Sequence, residues 1–125
     1  MTQWIVTGLM LLVGVLNLAP AIVFFAPERS LSLYAIDISE PNLGIVMRHR
    51  AILLGLLGAA LIYGAFRKEF LVPVIIAALI GKAAFLFLVY SSSGANAEIG
   101  RVALFDIGAV AVLIVAIALH LFAGK

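Results

Sequence analysis

Four apolar runs, each close to the length a helix needs to cross a bilayer, constrain this chain more than anything else in it. They lie at about residues 4–25, 42–66, 70–90 and 102–122. The hydrocarbon core of a bilayer takes roughly 20 apolar residues in helical form. Composition removes the alternative of a soluble core. Of the 125 residues 66% are apolar and 11% charged, and a small water-soluble domain leaves too much surface exposed to hide that many apolar side chains. The expected fold is all-α: an integral membrane four-helix bundle in one membrane domain, 1–125, with antiparallel neighbouring spans.

The first run ends near Ala19-Pro20-Ala21, which looks like a signal-peptide cleavage site. No Lys or Arg precedes the run, and the run is too long for a signal core, so it reads as a retained span. The second run is the odd one. Its purely apolar part, 51–66, reaches only about 24 Å at 1.5 Å per residue. To cross, it must draw Arg48-His49-Arg50 into or close to the membrane. The short link Arg67-Lys68-Glu69 forces spans two and three into an antiparallel hairpin. In the longer first loop, Pro27 and Glu28 suit a helix start, and Leu31, Tyr34 and Ile36 suit a short interfacial helix. The third loop is expected at 91–100. Small residues spaced four apart, Gly55 with Ala59, Ala60 with Gly64 and Ala77 with Gly81, suit close helix packing.

An even number of spans puts both termini on one side. Arg67, Lys68 and Lys125 share that side, which makes it cytoplasmic by the excess of positive charge in cytoplasmic loops. Arg29, Arg48, Arg50 and Arg101 lie at the other end. Trp4, Tyr63, Phe66 and Phe70 fall near one interface, and Phe24, Phe25, Tyr34 and Tyr90 near the other.

Counting inward from the non-cytoplasmic ends brings the polar span residues to one depth. Asn17, Arg48, His49, Arg50, Lys82 and Asp106 all fall roughly 8–13 Å in. Only His120 stands apart, near the cytoplasmic end. Intramembrane charges are costly and therefore rarely accidental. Asp106 is the only acid within the spans, so an ion pair with Arg48, Arg50 or Lys82 is expected. Three bases against one acid leave a positive surplus. Glu40, Glu28 or Glu98, with Arg101 beside them, could close this layer from the outer loops; otherwise an anion could. Arg48 and Arg50 stand about 200° apart on a helix, so both cannot face one partner. Pro20 frees the carbonyl of Leu16 and should kink span one beside Asn17.

Several chemistries are excluded. With no cysteine there is no disulfide, thiolate metal site or iron–sulfur cluster. There is no phosphate-binding glycine loop, zinc-protease motif or nucleophile elbow. No two histidines share a depth for bis-histidine haem. His49 lies between two arginines, which makes it a poor metal ligand, and no metal site is expected. The scattered charges, +2 net, do not suggest nucleic acid.

Asn17-Leu18-Ala19-Pro20, Phe25-Ala26-Pro27-Glu28, Pro41-Asn42-Leu43, Met47-Arg48-His49-Arg50-Ala51 with Leu54-Gly55-Leu56-Leu57-Gly58, and Arg101-Val102 with Asp106 carry a resemblance. The chain resembles small bacterial four-helix inner-membrane proteins of DoxX-like architecture. That resemblance implies the bacterial cytoplasmic membrane and, through the DoxX-like link to quinone-dependent thiol oxidation, a quinone near His49 or Arg50. Some such proteins carry the name of a soluble nucleotidyltransferase, whose H-x-G-H is missing here. No other cofactor is expected.

Three functions follow. The polar layer could bind an anionic amphiphile or lipid headgroup. The chain could be an accessory subunit of a larger membrane complex or a homo-oligomer, with the charged layer as a clamp. A quinone-linked oxidoreductase ranks last, and the balance leans away from an enzyme.

Overall fold

The computed structural model describes residues 2–123. Helix α1 (Thr2–Leu18) passes through a 3₁₀ turn (Ala19–Ala21) into the one-turn α2 (Ile22–Phe25), and these together make the first span. Helix α3 (Arg29–Tyr34) follows in the first loop. The remaining spans are α4 (Pro41–Phe66), α5 (Lys68–Ser91) and α6 (Ala97–Ala123). All four spans are long and apolar enough to cross a membrane. Their outward faces carry large apolar side chains, with Trp4 79% and Phe25 74% exposed. In water such a surface would aggregate; in lipid it is the natural exterior.

The helices pack in a ring, α1 on α4, α4 on α5, α5 on α6 and α6 back on α1. The core falls into two apolar clusters. One, at the end that carries Thr2 and Arg67, joins Val6, Met10, Val13, Leu61, Leu71, Ile75 and Leu113. The other joins Val23, Tyr34, Ile38 and Ala51 at the α3 end. The polar residues lie between them.

Several boundaries differ from the sequence expectation. The hairpin between α4 and α5 turns on Arg67 alone, because Lys68 and Glu69 already belong to α5. Arg67 and Glu69 pair at 2.9 Å on the surface, an exposed contact that adds little. The third loop is shorter than 91–100, because α6 starts at Ala97. Asn96 starts it: its Oδ1 accepts the N–H of Ile99 at 2.8 Å, the usual service of a helix N-cap. Glu98 and Arg101 are therefore helical residues, not loop caps of the polar layer. Lys125, which the orientation argument used, lies outside the described residues.

Small residues let α1 and α4 approach; of those spaced four apart, Gly55 and Gly64 are buried at helix contacts. Ala59 and Ala77 are exposed. The tight contact is Gly14 against Gly58: a Cβ at Gly58 would lie 2.6 Å from the Gly14 carbonyl oxygen. Gly55 stands likewise against Ala21. The buried face of α4 runs Ala51, Gly55, Gly58, Leu61, Ala65, a mix of three- and four-residue steps that follows the 3.6-residue turn.

Glu40 is spent on helix α4. Its carboxylate accepts the N–H groups of Asn42 at 3.1 Å and Leu43 at 2.7 Å. It therefore caps α4 and not the positive layer, as the unpaired amides of a helix start require. Those backbone hydrogen bonds, Leu43 first and Asn42 second, hold its pKa below the ordinary 4.5. A lowered carboxylate stabilises the fold above its unfolded pKa, and that contribution disappears as pH falls through the folded value. The first turn of α4 should therefore loosen on acidification below about pH 4.5. The amide NMR shifts of Asn42 and Leu43 should report this, and Glu40→Gln should abolish the titration.

Candidate functional site

Lys82 organises the polar layer. Its side chain comes from α5 into the bundle and the residue is only 5% exposed. Nζ donates to Oδ1 of Asn17 on α1 at 2.8 Å and to Oδ1 of Asp106 on α6 at 3.0 Å. Three helices thus meet on one ammonium. Asn17 reaches it because the residues behind it are small: a Cβ on Gly58 would come within 3.2 Å of the Asn17 Cβ. The 3₁₀ turn at Ala19–Ala21 begins two residues later. Pro20 cannot donate a helical hydrogen bond, so α-helix gives way there.

Beside this group lies a chamber of about 470 Å3, reached by all four spans and roofed by Leu33 and Tyr34 of α3. Its size is in the range of sites that hold small molecules. The polar wall is Asn17, Tyr34, Arg50, Lys82 and Asp106; the other lining residues are apolar or small. Arg50 is the arginine that turns inward. Its Nη1 donates to the Tyr34 hydroxyl at 3.2 Å, and its guanidinium lies 5.3 Å from the Tyr34 ring centre and 5.7 Å from that of Phe85. Such cation–ring contacts orient a guanidinium while leaving most of its donors free.

Arg48 and His49 stand outside the chamber. Arg48 is exposed and gives Nε and Nη2 to the carbonyl of Phe24, at 2.9 and 2.7 Å. The end of α2 explains this, since the last carbonyls of a helix lack partners and attract cations. His49 is exposed on the bundle's exterior, between Arg48 and Arg50. Arg101 is exposed on α6, away from Lys82. The sequence also missed two residues that hold the roof. Tyr34, placed by the sequence at the interface, is buried, and Asn96, in the third loop as the sequence has it, donates Nδ2 to the Tyr34 carbonyl at 2.8 Å. An Asn directly before a helical run was the available signal. Ala35 then closes α3 in the left-handed region at φ 56°, which costs a non-glycine residue about 1 kcal/mol.

Charge decides what the chamber can hold. Asp106 balances Lys82. Among the described residues Arg50 has no carboxylate within salt-bridge reach. Nδ2 of Asn17 is buried and makes no hydrogen bond, because Oδ1 of the same amide is committed to Lys82. One unbalanced cation, Arg50, therefore lines a largely apolar space beside the neutral Lys82–Asp106 pair. The lining includes one carboxylate, Asp106, and no histidine or serine.

Fold and site together define a small four-helix membrane protein with a polar chamber at one end of the bundle. No known family, curated protein or solved structure matches the chain.

Proposed function

We propose that the chamber holds the anionic head of an amphiphile, a carboxylate or phosphate, with its tail among the helices. The observation that carries this reading is Arg50, a half-buried cation without an acid on the wall of a chamber that all four spans line. A cation held away from bulk water without a counter-ion is costly, and an anion would satisfy it. A quinone carbonyl could also accept from Arg50, but it would leave that charge unbalanced. In the cell the protein would sit in the bacterial inner membrane with both termini cytoplasmic, and the chamber in the outer leaflet. Arg67 and Lys68 support that orientation, while Arg48 and Arg50 at the other end are tied into the bundle.

Two variants test the reading by native mass spectrometry and by titration with a fatty acid in mild detergent. Arg50→Gln removes the unbalanced charge and should weaken binding about tenfold or more, the worth of a charged hydrogen bond. Gly81→Leu plugs the chamber. Gly81 lines it, and a Cβ there meets no atom within 4 Å, so the bundle should fold and the ligand should be lost. Wild-type binding by both variants would sink the proposal.

The competing reading is an accessory subunit in which Asn17, Lys82 and Asp106 merely clamp three helices. It predicts a protein partner that survives solubilisation and no bound small molecule.

A further inference from the structure

Three cavities share walls. The chamber and a second cavity of about 430 Å3, under the 92–96 loop, are both lined by Tyr34, Arg50, Phe85 and Leu88. This second cavity forms a vestibule at the α3 end, with Ser92 and Gly94 at its rim. On the other side, Val13, Leu16, Phe105 and Ala109 line both the chamber and an open groove of about 510 Å3 between α1 and α6. That groove is almost wholly apolar and carries one charge, Arg101. Along α6 it runs from Arg101 to Val112, about 16 Å at the helical rise. Phe105 is largely exposed.

We infer that the chamber is the middle of a route, by which the protein passes an anionic amphiphile between the lipid around α1 and α6 and the aqueous face at the α3 end. This rests on the chamber taking such a molecule. The chemistry of the three compartments is graded in the sense that the transfer needs. The groove suits an acyl chain, with Arg101 at the level of the headgroups. The chamber suits an anionic head. The vestibule opens to the polar loop. Each partition is one layer of side chains. Leu16 and Phe105 form the apolar one. In the other, the Arg50 guanidinium lies over two aromatic rings and makes one hydrogen bond, to Tyr34. An arriving carboxylate or phosphate competes for that guanidinium with a stronger, charge-assisted bond, so the ligand itself loosens the wall that it must pass. Tyr34 belongs to the six-residue α3, outside the spans.

The test uses the whole protein in phosphatidylcholine nanodiscs, with an anthroyloxy-labelled stearate as probe. Gly108 lies in the groove, and a Cβ there meets nothing within 4 Å. Gly108→Leu should therefore slow loading from the bilayer about tenfold while equilibrium binding holds. Phe85→Ala should raise quenching of the bound probe by aqueous iodide and speed its release to albumin in water by a similar factor. Tyr34→Phe, which removes only the hydroxyl partner of Arg50, replaces Phe85→Ala if that variant does not fold. Gly81→Leu should abolish the retained signal and so mark it as the chamber's.

Both rate changes together support the route. If the wild type retains the probe but either wall can be altered without a change in rate, the chamber is closed on that side and the route is overturned. If the wild type retains no probe, the chamber reading fails and the route with it.

Discussion

Lys82→Met should cost the bundle about 3 kcal/mol, and adding Asp106→Leu should return most of it. Lys82 Nζ holds Asn17 and Asp106 at 2.8 and 3.0 Å, and the two charged side chains are 6% and 20% exposed. Removing the ammonium takes from the carboxylate its ion-pair partner and frees Oδ1 of the Asn17 amide, whose Nδ2 is already without an acceptor. Burying an unpaired charge is far costlier than burying a matched pair. The double variant has no charge left to strand, and an apolar contact replaces the ion pair. Unfolding in mild detergent against denaturant measures all three proteins. Equal loss in the single and double variants would mean that the pair itself, and not the stranded charge, sets the cost. The double variant is also informative about function: it can keep the fold while altering the wall of the chamber.

The second large effect is expected at Gly58. Gly58→Ala should destabilise by about 2 kcal/mol, the usual penalty for overpacking a tight contact. The added Cβ would lie 2.6 Å from the Gly14 carbonyl oxygen and 3.1 Å from the Leu18 nitrogen. Both neighbours are backbone and cannot step aside, so α1 and α4 must separate. Asn17 sits on the α1 side of that contact, so its bond to Lys82 should lengthen as well. Gly58→Leu is expected not to assemble. The control is Gly81→Ala, where the Cβ meets nothing within 4 Å. There the higher helix propensity of alanine should make the change neutral or mildly stabilising, by up to about 1 kcal/mol. Similar losses at both glycines would show that helix contact is not what separates them. Thermal unfolding with the Asn17 side-chain amide followed by NMR reads both parts of this expectation.

Parts of the site were legible because depth in a membrane is a one-dimensional quantity. Residue counts along four helices put Asn17, Arg50, Lys82 and Asp106 in one layer, and all four line the chamber. The same counts put Arg48 and His49 in that layer too, but neither lines the chamber. Depth does not carry direction around the helix axis. Arg48 was claimed by the carbonyl of Phe24, which became available only because α2 ends one residue later. Glu40 looked free to balance the layer until α4 started beside it and took its carboxylate.

What the chain determined by itself was the solvent and the architecture. Four apolar runs near bilayer length, a hairpin too short for anything but antiparallel spans, and a composition poor in charge admit an all-α membrane bundle and little else. Those are properties of local sequence acting against water and lipid, so they survive without knowledge of the neighbours. What only the tertiary structure decided was which side chains share a cavity. Tyr34, six residues past Glu28 in a loop, became the roof of the chamber because Asn96, more than sixty residues away, holds its carbonyl. Gly58 became the closest contact because Gly14 lies across from it. Asn17 kept an unused donor because Lys82 took the other end of its amide. Each is a relation between helices, set by rotation and packing, and these depend on all four helices together.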